Sequence, residues 1–191
     1  MARAVREELA QRHRYAHVLR VARMAESLAL THGADAGRAR EASLLHDLAR
    51  LYSGERLLRE CAERGMPVDD FERANPVVLH ARLGAELARE RFGVDDDAVL
   101  SAIRKHTLAD AVMSPLDEIV YLADGLEPGR DFPDRAPLAE TAFADLHAAM
   151  RGVLASTIAH ELRQGRMLAP QTLAAARRYG VAVPSEERRP V

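Results

Sequence analysis

The chain has 191 residues, of which 48% are hydrophobic, so it is long and apolar enough for one domain with a sizeable core. Its formal net charge of -2 gives no overall attraction to nucleic acid or to an anionic membrane. Its single cysteine excludes an internal disulfide and a thiolate zinc cluster. The charged N-terminal stretch is unlike a signal peptide, and no apolar run is long enough to span a bilayer. We therefore expect a cytoplasmic protein without nucleic-acid or membrane partners.

Almost every segment has the apolar spacing of an α-helix, and none alternates apolar and polar residues as a strand does. The sequence therefore predicts an all-α bundle of about seven to eight helices. The first three are expected over about Val5–His32, from Asp35 through Ala49, and from Ser53 to Gly65.

The later helices are expected from Asn75-Pro76 to Phe92-Gly93, from Asp95 to His106, from Ser114-Pro115 to Asp124-Gly125, from Leu138 to about Gln164, and from about Gln171 to Tyr179. Residues 1–180 are predicted to form one domain, with its core over 14–133 and C-terminal helices over 138–179. Residues 181–191 have the composition of a flexible tail.

Histidine and aspartate residues recur in apolar helical settings along the chain. His46 and Asp47 are adjacent in the run EASLLHDLAR, where burial would cost several kcal/mol unless both side chains had a partner. The other members of this set are His17, His80, His106 and Asp124. A helical bundle can aim such side chains at one interior point, where a divalent cation offsets the cost of burial. The pattern favours a metal-dependent hydrolase, whereas isolated histidines such as His13 and His160 are interpreted as packed or hydrogen-bonded residues.

Several longer strings are similar to a known family. These are RYAHVLRVARMAESLAL, EASLLHDLAR, VVLHARLGAELARERFGV, LSAIRKHT and IVYLADGLEPGRDFP. They resemble the HD-domain metal-dependent phosphohydrolases, and among them the bacterial YqeK-type branch, which hydrolyses diadenosine tetraphosphate symmetrically to two ADP. The likeness runs from about Arg14 to Pro133, and YLADGLEPGRDF is its most specific string. A His-Asp dipeptide alone is a weak motif.

The resemblance implies a role for individual positions. The positions that match the metal ligands of the family are His17, His46, Asp47 and Asp124. His80 and His106 match two extra histidines, which bind a second metal or contact the substrate phosphates. Together with Asp47, they are the expected catalytic residues. The positions expected to contact the substrate are Arg14, His80, Arg82, Leu83, His106, Thr107, Asp124, Gly125, Glu127, Gly129 and Arg130.

The chain departs from the family pattern at three places, one single residue and two dipeptides. Arg50 stands where lysine is common, Ala81-Arg82 where Gly-Pro is frequent, and Leu108-Ala109 where Thr-Gly is usual. Arginine keeps the charge of lysine but not its geometry. These changes affect the expected phosphate pocket and leave the metal ligands intact.

Imidazole and carboxylate ligands suit iron, manganese, zinc or magnesium, and the resemblance favours iron, as one or two ions. The expected reaction is attack of metal-bound hydroxide on an inner phosphorus of a dinucleoside polyphosphate, with ADP as leaving group. A monomer or a homodimer is expected. The alternatives are another HD-type nucleotide phosphatase or phosphodiesterase, a weakly catalytic sensor that binds ADP, and a helical scaffold with incidental histidines.

Overall fold

The computed structural model describes residues 5–6 and 11–183, and these ranges contain helices and no strand, which confirms the all-α prediction. The α-helices are α1 (Arg12–Thr31), α2 (Ala36–Leu45), α3 (Gly54–Glu63), α4 (Asp70–Ala74), α5 (Leu79–Phe92), α6 (Asp97–Lys105), α7 (Pro115–Leu126), α8 (Arg135–Ala144), α9 (Leu146–Arg163) and α10 (Pro170–Arg178). A 3-10 turn over Pro76–Val78 leads directly into α5.

Short polar residues define where several helices begin. The side chains of Asp35 and Ser53 accept hydrogen bonds from the first-turn N–H groups of α2 and α3. Ser114 forms a capping box with Asp117 at the start of α7, where Pro115 occupies the first helical position. These contacts satisfy backbone donors that have no partner within the helix. Gly93 ends α5 with a left-handed φ of 68°, a conformation that costs glycine little.

The core is formed where α1 packs on α2 and α7, and where α6 packs on α2, α5 and α7. Apolar residues at helical spacing on α1 supply one wall, and leucines and an isoleucine from the other helices fill the space between them. The largest fully buried side chains are Leu28, Leu45, Leu57, Leu79, Leu83, Leu87, Leu100, Ile103, Ile119, Leu122 and Leu126. This packing brings the ends of α2, α6 and α7 to the same region of the interior as the N-terminal parts of α1 and α5.

The described residues contain ten α-helices rather than the predicted seven to eight. The short helix α4 was not expected, and it is stabilised by a capping box between Asp69 and Glu72. The predicted helix from Leu138 is divided at Asp145, where an extended backbone (φ -155°) begins α9 and the side chain accepts a hydrogen bond from Ala148 N. Local capping thus outweighs the continuous apolar pattern.

Helix α2 ends at Leu45, so His46 and Asp47 lie in the turn that follows and not within the helix predicted to reach Ala49. Residues 7–10 of the first predicted helix and residues 184–191 of the predicted tail lie outside the described residues. None of the helices in the described ranges combines the length and the apolar character that a membrane span requires.

Candidate metal centre

Five segments of the fold each deliver part of one cluster. His17 lies on α1, His46 and Asp47 directly follow α2, His80 is the second residue of α5, His106 directly follows α6, and Asp124 lies in the last turn of α7. The three-residue combinations whose ligand atoms lie within 4.8 Å of one another are His17 with His46 and Asp47, His46 with His106 and Asp124, and Asp47 with His80 and His106. The structure therefore brings together all six residues singled out from the sequence.

Four of these side chains share one point. His17 Nε2 lies 3.1 Å from Asp124 Oδ1 and 3.7 Å from Asp47 Oδ2. His46 Nε2 lies 3.4 Å from Asp47 Oδ2 and 3.9 Å from Asp124 Oδ1. Two imidazole nitrogens and two carboxylate oxygens thus face one another, as the ligands of a divalent ion do.

The remaining two histidines lie on the other side of Asp47. His80 Nε2 is 3.5 Å from Asp47 Oδ1 and 3.1 Å from His106 Nε2. The Thr107 hydroxyl lies 3.0 Å from His106 Nε2 and can donate to it. Asp47 therefore presents one carboxylate oxygen to each half of the cluster.

Each of these histidines faces the cluster with Nε2, and the hydrogen bond made by its other ring nitrogen, Nδ1, fixes its tautomer. Nδ1 of His46, His80 and His106 lies 2.6, 2.5 and 2.7 Å from the carbonyl oxygens of Ser43, Val77 and Ile103. A carbonyl oxygen only accepts, so each Nδ1 carries a proton, and whenever the ring is neutral its Nε2 lone pair points inward. His17 reaches the same tautomer through a side chain, because its Nδ1 donates to Glu127 Oε1 at 3.0 Å.

The donor set fits a divalent metal. The Nε2 atoms of His17 and His46 are buried and have no hydrogen bond of adequate geometry from the described part of the chain. Such atoms are costly to bury without a partner. A cation beside the ionised carboxylates of Asp47 and Asp124 would satisfy all of them.

The electrostatics of the cluster also favour a cation. Burial lowers the pKa of His46, but the charges of Asp47 and Asp124 outweigh burial and raise the pKa to about 9. Burial raises the pKa of Asp47, but its histidine neighbours, His46 first, hold that pKa well below its usual range. Burial, together with the charge of His46, lowers the pKa of His106 to about 3. The carboxylates are therefore ionised, and their negative charge stabilises a positively charged group beside them even in a buried site.

A cavity of about 300 Å³ opens above the cluster. Asp47, His80, His106 and Asp124 form part of its floor, and Arg14, Arg50 and Arg130 contribute positive charge to its lining. The other lining residues are Val77, Val78, Thr107, Tyr121, Gly125, Val153 and Thr157. The cavity thus combines metal-ligand chemistry, cationic groups and an apolar wall.

Four residues predicted to contact substrate are not among the lining residues. Arg82 forms an ion pair with buried Glu72, with its Nη1 2.6 Å from Glu72 Oε1, and Leu83 is fully buried in the core. Glu127 is also buried, and it accepts hydrogen bonds from His17, Arg20 and Gly129 N. Direct substrate contact at Arg82, Leu83, Glu127 and Gly129 stays a prediction.

The sequence interpretation missed Arg20 and the apolar wall. Arg20 follows His17 by one helical turn on α1, and this spacing was the available signal. Its Nε lies 2.5 Å from Glu127 Oε2. The wall residues Val77, Tyr121 and Val153 resemble any other core residue in the sequence, so nothing marked them before the fold was known.

The chain matches the family model described as HD domain over residues 14–129. A protein from Halalkalibacterium halodurans named symmetrical bis(5'-nucleosyl)-tetraphosphatase is 36% identical over 85% of this chain and 86% of its own length. A Bacillus subtilis protein of the same name is 33% identical over 88% and 89%. A crystal structure from Clostridium acetobutylicum, described as a predicted HD superfamily hydrolase involved in NAD metabolism, is 34% identical, with a TM-score of 0.89 over 93% of this chain and 94% of that chain. This chain belongs to the HD-domain family.

Proposed function

We propose that this protein is a metal-dependent hydrolase that cleaves diadenosine tetraphosphate symmetrically into two ADP. The observation that carries the proposal is the convergence of unpartnered imidazole nitrogens and ionised carboxylates on the floor of a cavity with arginines in its lining. The choice of substrate is supported by two relatives named symmetrical bis(5'-nucleosyl)-tetraphosphatase, to which this chain is similar over most of their length. The bond broken is therefore a phosphoric anhydride bond.

The metal ligands in this scheme are His17, His46, Asp47 and Asp124. An ion held there would lower the pKa of a coordinated water and neutralise phosphoryl charge. The chain holds these ligands in place from α1, from the turn that follows α2 and from α7, so little reorganisation is needed when a cation binds. Iron is the metal that we propose.

Arginines next to the ligands are placed to bind the phosphates. Arg14 Nη1 donates to Asp47 Oδ2 at 2.9 Å, and Arg130 Nη2 donates to Asp124 Oδ1 at 2.5 Å. When those oxygens turn to a cation, both guanidinium groups become available to phosphate oxygens beside it. Arg50 adds a third charge, and no ion-pair partner for it occurs in the described ranges.

The size of the cavity supports a dinucleotide cut at its centre. A volume of about 300 Å³ is at the lower end for small-molecule sites, so it suits one half of the substrate. The walls made by Val77, Val78 and Val153 offer apolar surface to a base or ribose. In this proposal the second half extends outward past the arginines, and the inner phosphates lie over the cluster.

His80 and His106 are assigned to binding rather than to proton donation. Burial lowers the pKa of both rings, that of His106 to about 3, which favours neutral rings whose Nε2 atoms carry a lone pair and no proton. Their inward lone pairs and Asp47 Oδ1 can hold a second cation, or they can accept a hydrogen bond from a protonated group on the substrate. Backbone carbonyls anchor both rings, so they keep this orientation during turnover.

The test is incubation of metal-stripped protein with diadenosine tetraphosphate and Fe²⁺, Mn²⁺, Zn²⁺ or Mg²⁺, with chromatography of the products. ADP as the sole nucleotide product is expected. Formation of ATP with AMP, or release of orthophosphate, would instead favour another HD-type phosphatase or phosphodiesterase. Tight ADP binding without turnover would favour the nucleotide-sensor alternative.

A matched pair of variants separates loss of a ligand from loss of a buried carboxylate. Mutation of a residue that hydrogen-bonds to a metal ligand lowers activity by up to roughly 100-fold. Asp47→Asn alters a ligand itself, so it is expected to lower turnover by more than that. Asp117→Asn is the control, because Asp117 is equally buried but pairs with Lys105 and caps α7 outside the cluster. Asp47→Asn with full turnover and full metal content would exclude this mechanism.

A cytoplasmic location, a monomeric or homodimeric state and the absence of a nucleic-acid partner stay predictions.

A further inference from the structure

His17 is held differently from the other three histidines of the cluster. Ser43 and Ile103 lie in the last turns of α2 and α6, where carbonyl oxygens lack helical partners and are free to accept from His46 and His106. His17 lies inside α1, where the carbonyls around it belong to the helical ladder. Its Nδ1 therefore needs a side-chain acceptor, and Glu127 supplies it from the end of α7.

Both carboxylate oxygens of Glu127 are occupied by hydrogen bonds from the protein itself. Oε1 accepts from His17 Nδ1 at 3.0 Å and from Arg20 Nη2 at 3.0 Å. Oε2 accepts from Arg20 Nε and from Gly129 N, both at 2.5 Å. The side chain is only 2% exposed, so these donors fill the positions at which a substrate group would otherwise bind.

Gly129 provides the space that this arrangement needs. A Cβ atom on Gly129 would overlap Arg20 Nη2 and would lie 2.7 Å from Arg20 Cζ. No real Cβ atom tolerates such an approach, so any side chain here would displace the guanidinium group. The absence of a side chain at Gly129 therefore lets Arg20 reach Glu127.

Glu127 and Asp124 act on opposite sides of the same ring. Asp124 Oδ1 lies 3.1 Å from His17 Nε2, while Glu127 contacts Nδ1. One end of α7 thus supplies both a ligand next to His17 and the group that turns the lone pair of His17 toward it. Carboxylates that hold a ligating histidine in this way raise metal affinity and fix the tautomer of the ring.

We infer that Glu127, held by Arg20 and by the N–H of Gly129, is the positioning residue that orients His17 toward the metal. This inference rests on the proposed function, because it takes His17 as a ligand. It assigns the Glu and Gly of the LEPGR string to the metal centre and not to the substrate phosphates.

The test is titration of the metal-free 191-residue chain with Mn²⁺ alone, with the free ion followed by electron paramagnetic resonance. Glu127→Ala is expected to weaken Mn²⁺ binding about 10- to 100-fold. Glu127→Gln keeps an acceptor for His17 Nδ1 and is expected to recover most of that loss. Gly129→Ala, which leaves Glu127 in place but displaces Arg20, is expected to weaken binding to an intermediate degree.

Glu72→Ala is the matched control. Glu72 is as buried as Glu127, holds Arg82 through two hydrogen bonds and accepts one from a backbone N–H, but it contacts no histidine. The thermal midpoint of the metal-free Glu72 variant should fall as for Glu127→Ala, with unchanged Mn²⁺ affinity. Since Glu127→Ala removes the acceptor that His17, Arg20 and the N–H of Gly129 share, it can prevent folding, and Glu127→Gln and Gly129→Ala then decide the question.

Wild-type affinity in both Glu127→Ala and Gly129→Ala would overturn the inference. An equal loss of affinity in Glu72→Ala would also overturn it, because the effect would then reflect general destabilisation. Failure of the proposed function is distinguishable: the wild-type protein itself would not bind Mn²⁺, and the inference would fall with it.

Discussion

Glu127 gives the metal-free protein a dependence on pH that a single substitution can isolate. Burial raises the pKa of this carboxyl group, but the hydrogen bonds from Arg20, His17 and the N–H of Gly129 lower it from 4.5 to about 2. Because the folded pKa lies below the unfolded one, ionised Glu127 stabilises the fold above about pH 4.5. This contribution is lost as the pH falls toward 2.

The expected size follows from the two pKa values. A lowering from 4.5 to about 2 corresponds to about 3 kcal/mol of unfolding free energy at neutral pH, and about 2 kcal/mol of this is lost by pH 3. The side chain is almost completely buried, so solvent screening removes little of this value.

Urea unfolding of the metal-stripped protein measures this effect. The free energy of unfolding should be determined at pH 7 and pH 3 for the wild type and for Glu127→Gln, whose side chain does not titrate. The other carboxyl groups affect both proteins alike, so the difference between the two should shrink by about 2 kcal/mol at pH 3. A difference that is the same at both pH values would refute the reasoning.

Two further predictions concern the metal and the phosphates. Mn²⁺ at 100 times its dissociation constant should stabilise the protein by about 2.7 kcal/mol and raise its thermal midpoint by about 5–10 °C, as calorimetry would detect. His46→Ala should abolish this rise, whereas His32→Ala should keep it, because His32 contacts the Ala142 carbonyl away from the cluster. Arg14→Ala should raise KM about 10- to 100-fold with unchanged metal content, and Arg104→Ala, which alters a surface pair with Glu86, should leave KM unchanged. An unaffected KM in Arg14→Ala would argue against phosphate binding there.

The helical class could be predicted because apolar spacing and caps recur along the chain. Ser53 and Ser114 begin helices as their sequence context indicates. Helix α4 escaped prediction because five residues are too few to show a period, and its stability comes from the capping box of Asp69. The break between α8 and α9 at Asp145 was not predicted, because the alanine-rich sequences on both sides of it have the same apolar pattern.

The metal cluster could be anticipated because buried histidine and aspartate are costly without a partner. Most contacts of Glu127 could not, since its neighbours in sequence belong to a loop next to Asp124, and two of its partners, Arg20 and His17, lie 107 and 110 positions away. Ala109 shows a related limit. It adopts a φ of 57° where the resemblance predicts glycine, and alanine bears a backbone strain in this conformation.

The main-chain anchoring of three histidine rings has a consequence for how the protein tolerates mutation. At Ser43, Val77 and Ile103 the carbonyl oxygen holds the imidazole, and every amino acid has one. Substitutions at these three positions can therefore alter packing without turning a ring. Among the four histidines of the cluster, His17 is the one whose ring orientation depends on the identity of other side chains, because Glu127 holds it and Arg20 holds Glu127. Metal binding there is best retained when any replacement keeps an acidic residue at the first of these positions and a guanidinium group at the second.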